Sequence, residues 1–233
     1  MIKIFENHKI NISPEIVKKL ERYMELLLSW NEKVNLTAIT DHRQIWIKHF
    51  LDSLIVMKFE ELGGKKIIDI GTGAGFPGLA LKIADSELDI TLLDSLAKRL
   101  DFLEEVIGEL ELDKTNIRTY HARAEDGAKD PALREQFDIA VSRAVAGMNV
   151  LCEYSLPYVK VGGLFIAYKS REYAEELEEA KAAIKTLGAE IDRVEEFELD
   201  YDNPRTLIFI RKLSQTPSNY PRKPHIIAKR PIM

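Results

Sequence analysis

Residues 65–81, KKIIDIGTGAGFPGLAL, run from a β-branched strand through closely spaced glycines into a helix start. Such a passage brings backbone close to a ligand at the carboxyl end of a strand, and it marks a nucleotide site in a layered α/β fold. Gly73-Ala74-Gly75-Phe76-Pro77-Gly78 satisfies the dinucleotide pattern G-x-G-x-x-G, a weak signal on its own. Three features favour a methyl donor over a hydride carrier. Asp69 lies in the strand just before the turn, where it repels a pyrophosphate but attracts the ammonium of S-adenosylmethionine. The glycines also read Gly71-x-Gly73-x-Gly75, a turn that admits an adenosyl group. Finally, residues 1–64 precede this strand and read as helical, whereas dinucleotide domains usually begin near their first strand.

Downstream, DITLLDS ends in Asp94, about twenty residues past the glycines, where a carboxylate can accept both ribose hydroxyls of either cofactor class. After the next strand, HARAED places Ala124 and Glu125 where backbone and carboxylate could meet an adenine edge. The same residues also read as a helix start with acids in its first turn.

Outward from the turn, Ser13-Pro14-Glu15 predicts a capped helix through IVKKLERYMELLLSW, and Asp41 predicts a second over RQIWIKHFLDSLIVMKF. From Lys65 short β-branched runs alternate with amphipathic segments, which implies a mostly parallel sheet covered on both faces. Only DYDNPR separates the last two runs, so they should form an antiparallel hairpin. The expected architecture is α/β: a Rossmann-like methyltransferase sheet of seven strands, mostly parallel, with an antiparallel last strand. The expected divisions are 1–64, a helical extension; 65–213, the core; and 214–233, a basic arm. SQTPSNYPRKPHIIAKRPIM, with four prolines and no periodicity, reads as extended.

Bulk properties narrow the class. Forty-five per cent hydrophobic and 30% charged residues suit a soluble domain with a sizeable core. Neither a membrane-length apolar run nor a secretory leader is evident, and one cysteine, Cys152, fits a reducing compartment; a cytoplasmic location is expected. No metal-ligand spacing appears among the histidines, so no metal is expected. Net charge is −5, yet residues 172–202 carry 12 acids against 3 bases and residues 203–233 carry 7 bases and no acid. That tail is either an anion-binding patch or a solvated terminus.

The acceptor side starts at FDIAVSRAVAG. It lacks the Asn/Asp-Pro-Pro-aromatic motif for exocyclic amines and the Pro-Cys pair for pyrimidine carbons, and Cys152 reads as a small apolar helix residue. Arg143 offers a planar fork for guanine O6 and N7, a carboxylate or a phosphate; its alternative is a salt bridge to Asp69 or Asp138. Guanine N7 loses no proton on methylation, so alignment suffices without a general base.

With these pieces assembled, the chain resembles the bacterial RsmG/GidB family of 16S ribosomal RNA guanine-N7 methyltransferases. The resemblance rests on SWNEKVNLTAI, HFLDSL, IDIGTGAGFPGLALKI, LLDSLAKRLDFL, RAED, SRAVA, GGLFIAYK and YPRKP, which span nearly the whole chain. It implies S-adenosylmethionine held at Gly71, Gly73, Phe76, Asp94, Ala124-Glu125 and Arg143, with Arg143 also at the reacting centre. It implies in-line transfer to 16S rRNA of the small subunit, without a covalent enzyme intermediate. Thr72 and Ser142 depart slightly from the pattern, as does the missing glycine after YPRKP. Arg205, Arg211, Lys212, Arg222, Lys223, Lys229 and Arg230 would then meet rRNA phosphates, with Tyr220 stacking on a base. Arg43, Lys48 and His49 would extend that patch or form a solvated helix face, with His49 read equally as a packed, hydrogen-bonded residue or an RNA contact. A monomer is expected because no pairing seam appears. Rivals are a small-molecule methyltransferase, a donor-binding RNA-binding pseudo-enzyme and an NAD-dependent oxidoreductase.

Overall fold

The computed structural model describes residues 2–200 and 203–233. Seven strands form one sheet in the order β3-β2-β1-β4-β5-β7-β6: β1 Lys66–Ile70, β2 Asp89–Asp94, β3 Ile117–His121, β4 Phe137–Arg143, β5 Val159–Ser170, β6 Ala189–Glu198 and β7 Pro204–Lys212. β1 to β5 are parallel, and β7 runs antiparallel to both β5 and β6. The expected hairpin is present; Tyr201 and Asp202 of its connection lie outside the described residues. Strand order reverses between β1 and β4, and a crevice opens at that switch point in sheets of this kind.

Strand residues alternate between two cores because both faces are covered. Ile67, Val141, Ile166 and Phe209 face one cluster; Ile68, Ile70, Phe165 and Ile208 face the other. The second face is closed by α8 Met148–Ser155 and α9 Ala174–Thr186 through Leu151, Cys152, Ala180 and Ile184. The first is closed by α5 Gly78–Ala84, α6 Ala97–Glu109 and the N-terminal helices.

Those N-terminal helices share the core rather than form their own. After α1 Ile2–Asn7, the Ser13 side chain accepts from the Ile16 amide and caps α2 Pro14–Asn31, whose Leu20, Tyr23 and Leu27 are fully buried. The second predicted helix departs from expectation. Asp41 caps α3 His42–Ile45 as predicted, but a π-helical turn follows over Trp46–Leu51, then α4 Asp52–Leu54 and a 3₁₀ turn over Ile55–Lys58. Apolar periodicity is nearly blind to the extra residue of a π turn, a distortion frequent at functional sites.

The C-terminal arm is not extended. It folds back onto α8 and forms α10, Pro224–Lys229. Arg134 donates to the carbonyls of Tyr220 (2.9 Å) and Thr216 (2.9 Å). Arg222 grips the buried Glu153 with its amide (2.7 Å), Nε (2.9 Å) and Nη2 (2.6 Å). Lys212, expected on the RNA side, is wholly buried; its Nζ donates to Leu156 O (2.8 Å), Thr216 Oγ1 (2.7 Å) and Glu135 Oε1 (3.1 Å). A lone lysine in a sequence gives no sign of such a cage. Glu153→Gln keeps the shape but removes the charge-assisted bonds, at a cost of about 1.5–3 kcal/mol. Limited trypsin digestion of the variant should then cleave after Arg222 and Lys229 well before the core, Lys223 being protected by the proline that follows it; a variant arm as resistant as the wild type's would contradict the fastening role.

Candidate active site

At the switch point, Gly71 (φ +69°) lets the backbone leave β1, and its amide donates to Leu93 O (2.9 Å). A Cβ here would meet Val145 Cγ2 at 2.7 Å, an exposed side chain that can shift, so it is the backbone conformation that calls for glycine. The Gly73 amide donates to Asp94 Oδ2 (2.9 Å), and the Leu96 amide donates to Asp94 Oδ1 (2.9 Å). Asp94 is thereby held at the end of β2 with both oxygens oriented, and Arg99 approaches it at 3.3 Å.

Asp69 lies beneath the turn. Its Oδ2 accepts from Thr72 Oγ1 (2.7 Å) and the Gly78 amide (2.8 Å), while its buried Oδ1 has no partner. Burial pushes its pKa up to about 6 against the pull of those two bonds.

Two cavities open above. A crevice of about 300 Å³ is lined by Gly71, Asp94, Ala124, Glu125, Ala144 and Tyr154, among others. Its lining has the polarity an S-adenosylmethionine-type ligand needs: the Gly71 turn at one end, the oriented Asp94 carboxylate in the middle and Ala124-Glu125 beyond, while Asp69 lies fully buried under the turn and does not line the crevice. Ala124-Glu125 begin α7, Ala124–Gly127, as the helix-start reading expects, and they also line the crevice. Phe76 and Gly73 are not among its lining residues. Phe76 is instead buried in an aromatic stack, 4.5 Å from the His49 ring and 5.3 Å from Tyr23.

The second cavity, about 480 Å³, is lined by Lys48, His49, Asp52, Arg143, Ala144, Tyr168, Lys169 and Arg205, among others. Arg143 reaches it from the end of β4, and its salt bridge goes to neither Asp69 nor Asp138. Its Nη1 donates to Asp52 Oδ2 (2.7 Å) and Lys48 O (3.1 Å), and its Nη2 lies 3.4 Å from His49 Nδ1. Nη1 is therefore committed to Asp52 and Lys48, so the open fork expected for a base is not presented. The π turn aims Lys48 O and His49 at this guanidinium. His49 is the packed, hydrogen-bonded residue of its two readings: it is buried, its Nε2 pairs with Thr37 Oγ1 (2.8 Å), and burial beside Arg143 lowers its pKa to about 3. It stays neutral and poorly basic near pH 7.

Of the cationic positions expected to meet RNA, Arg205 lines the second cavity, and Lys223, Lys229 and Arg230 are exposed on the arm. Arg222 is tied to Glu153, Lys212 is buried, and Arg211 pairs with Asp192 (2.8 Å). Asp52 was not singled out in the sequence, although it stood in HFLDSL. The available signal was a carboxylate three residues after a histidine within a strongly apolar run.

A mostly parallel sheet with an inserted antiparallel strand, and a glycine turn facing Asp94 at the switch point, is the Rossmann-like arrangement expected of the S-adenosylmethionine-dependent methyltransferases. The fold is shared with M. jannaschii TYW2 in complex with AdoMet, at 14% identity and TM-score 0.55 over 70% of this chain and 76% of that one. A branched-chain polyamine synthase mutein from Thermus thermophilus also shares it, at 14% identity and TM-score 0.58 over 84% of this chain and 65% of that one. A fold this widely used does not choose the substrate. The family model GidB, rRNA small subunit methyltransferase G, matches residues 16–205, and the chain belongs to that family. Relatives named ribosomal RNA small subunit methyltransferase G include one from Desulfitobacterium hafniense, 49% identical over 96% of this chain and 92% of its own. Another, from Clostridium beijerinckii, is 48% identical over 100% of this chain and 97% of its own.

Proposed function

We propose that this enzyme transfers a methyl group from S-adenosylmethionine to N7 of a guanine in 16S rRNA of the small ribosomal subunit. The observation that carries this reading is Ala144, which lines both cavities and so marks where donor and acceptor meet. Ala144 adopts φ +57°, a conformation costly for a residue with a Cβ and often retained at functional sites.

When bound, S-adenosylmethionine supplies an electrophilic methyl on a sulfonium. The protein's part is alignment. Gly71 would hold the donor through its backbone, Asp94 its ribose and Ala124-Glu125 its base, while Phe76 stacks on His49. N7 brings its own lone pair and no proton, so the weakly basic His49 need not act as a base. Cys152 is fully buried and its thiol pKa is pushed up by burial, which suits direct transfer rather than a covalent adduct. Arg143 braces the wall between the cavities as a positioning residue. Arg205, Lys223, Lys229 and Arg230 supply phosphate contacts, with Arg222 as their anchor.

The test is transfer of labelled methyl to 16S rRNA and to 30S particles lacking the modification, followed by mass mapping. A single N7-methylguanine is expected. Methyl on another atom, or none on either substrate, overturns the reading. Arg143→Lys should lower kcat/KM about tenfold or more while donor affinity stays within about threefold, because lysine cannot hold Asp52 and Lys48 O in one plane.

A further inference from the structure

Asp52 is nearly fully buried in the acceptor cavity, and only half of its carboxylate has a hydrogen-bond partner. Oδ2 accepts from Arg143 at 2.7 Å, but Oδ1 accepts from nothing. Arg205 Nε lies 3.5 Å from Oδ1, an ion pair without a hydrogen bond. A buried carboxylate oxygen left in this state is costly, and a ligand donor would relieve it.

Guanine carries such donors. With N7 turned toward the methyl at Ala144, the N1–H and N2 amine lie on the purine's other polar edge, facing away from the reaction. An arginine fork on O6 and N7 would occupy the lone pair that must attack, so the base has to be recognised from that other edge. We propose that Asp52 is the guanine-reading residue: Oδ1 accepts from the N1–H/N2–H edge once Arg205 swings outward onto an RNA phosphate. This rests on the guanine-N7 reading above. Adenine presents a lone pair at N1 and no amine at C2, so the carboxylate rejects it by repulsion as well as by a missing bond. Methylation also makes the purine cationic and N1–H more acidic. The bond to Asp52 therefore strengthens as the methyl transfers, which stabilises the transition state more than the ground state.

The experiment uses rRNA substrates bearing guanosine or inosine at the target position; inosine keeps N1–H and N7 but lacks the N2 amine. Wild-type enzyme should methylate inosine with kcat/KM lower by about tenfold to a hundredfold, the range for a hydrogen bond to a charged group. Asp52→Asn should be slow on both and should lose most of that ratio, with donor affinity measured separately to show that the variant is folded. Equal wild-type rates on the two substrates overturn the proposal without any variant. So does an undiminished ratio in Asp52→Asn, which would leave Asp52 as a brace for Arg143 alone. If the guanosine substrate yields no N7-methylguanine at all, the underlying guanine-N7 reading has failed instead.

Discussion

Gly75→Ala is expected to abolish measurable donor binding and to destabilise the protein by about 2–5 kcal/mol. Gly75 sits at φ +94°, where an L side chain costs about 1–2 kcal/mol. An added Cβ would also collide with the Tyr23 hydroxyl, and with Leu103 Cδ2 and Leu79 Cβ, both at 2.9 Å. Overpacking of this kind adds about 1–3 kcal/mol. Tyr23 cannot retreat freely: it is fully buried, its hydroxyl donates to Ala74 O, and its ring stacks on Phe76. Relief would come from displacing the glycine turn, which holds Gly73 against Asp94. Thermal unfolding should drop by roughly 5–15 °C, and titration with S-adenosylmethionine should show no saturable heat. A variant with wild-type melting and wild-type affinity would mean that the turn is looser than its contacts require.

Asp69→Asn should separate stability from function. Asp69 is fully buried, and its folded pKa, about 6, lies above the 3.8 of an ordinary aspartate. An acid raised on folding binds more protons in the native state between those values. Stability therefore falls as pH rises from about 4 to about 6, by about 3 kcal/mol for this group, and stays lowered at pH 7. Asparagine can still accept from Thr72 and Gly78 while carrying no buried charge. The donor-free variant should thus be more stable than wild type at pH 7 by about 1–2 kcal/mol, with the advantage vanishing near pH 4. Donor affinity should fall tenfold or more, because the charge beneath the turn is what favours the ammonium of the ligand. Denaturant melts at pH 4 and pH 7 with a parallel donor titration decide it. A variant less stable than wild type at pH 7 would show that Asp69 serves the turn alone.

These variants separate what was legible in the chain from what was not. Periodicity and punctuation are local, and they carried the local facts: the Ser13 and Asp41 caps, the seven strands, the closing hairpin, and the glycine turn with Asp94 twenty-one residues beyond Gly73. The crevice at the glycine turn was readable because one strand–turn–helix unit and its neighbouring strand build most of it. The cavity beside Arg143 was only half readable. Arg143 stood out at the end of β4, but its partner Asp52 lies 91 residues earlier, on a helix whose π turn leaves almost no mark in the apolar pattern.

The basic tail shows the same limit from the other side. Seven cations without an acid suggested a free arm, yet Arg222 and Lys212 are held by Glu153 and Glu135, 69 and 77 residues away. Charge counts measure composition, and pairing is set by the fold. By itself the sequence determined the sheet and the glycine turn, because both are written in short-range spacing, and the family through the motifs by which the chain resembles it. Only the tertiary structure decided which charges are exposed, which are buried and paired, and which carboxylate lines the cavity beside Arg143. Those outcomes depend on desolvation and on contacts between residues that only folding brings together.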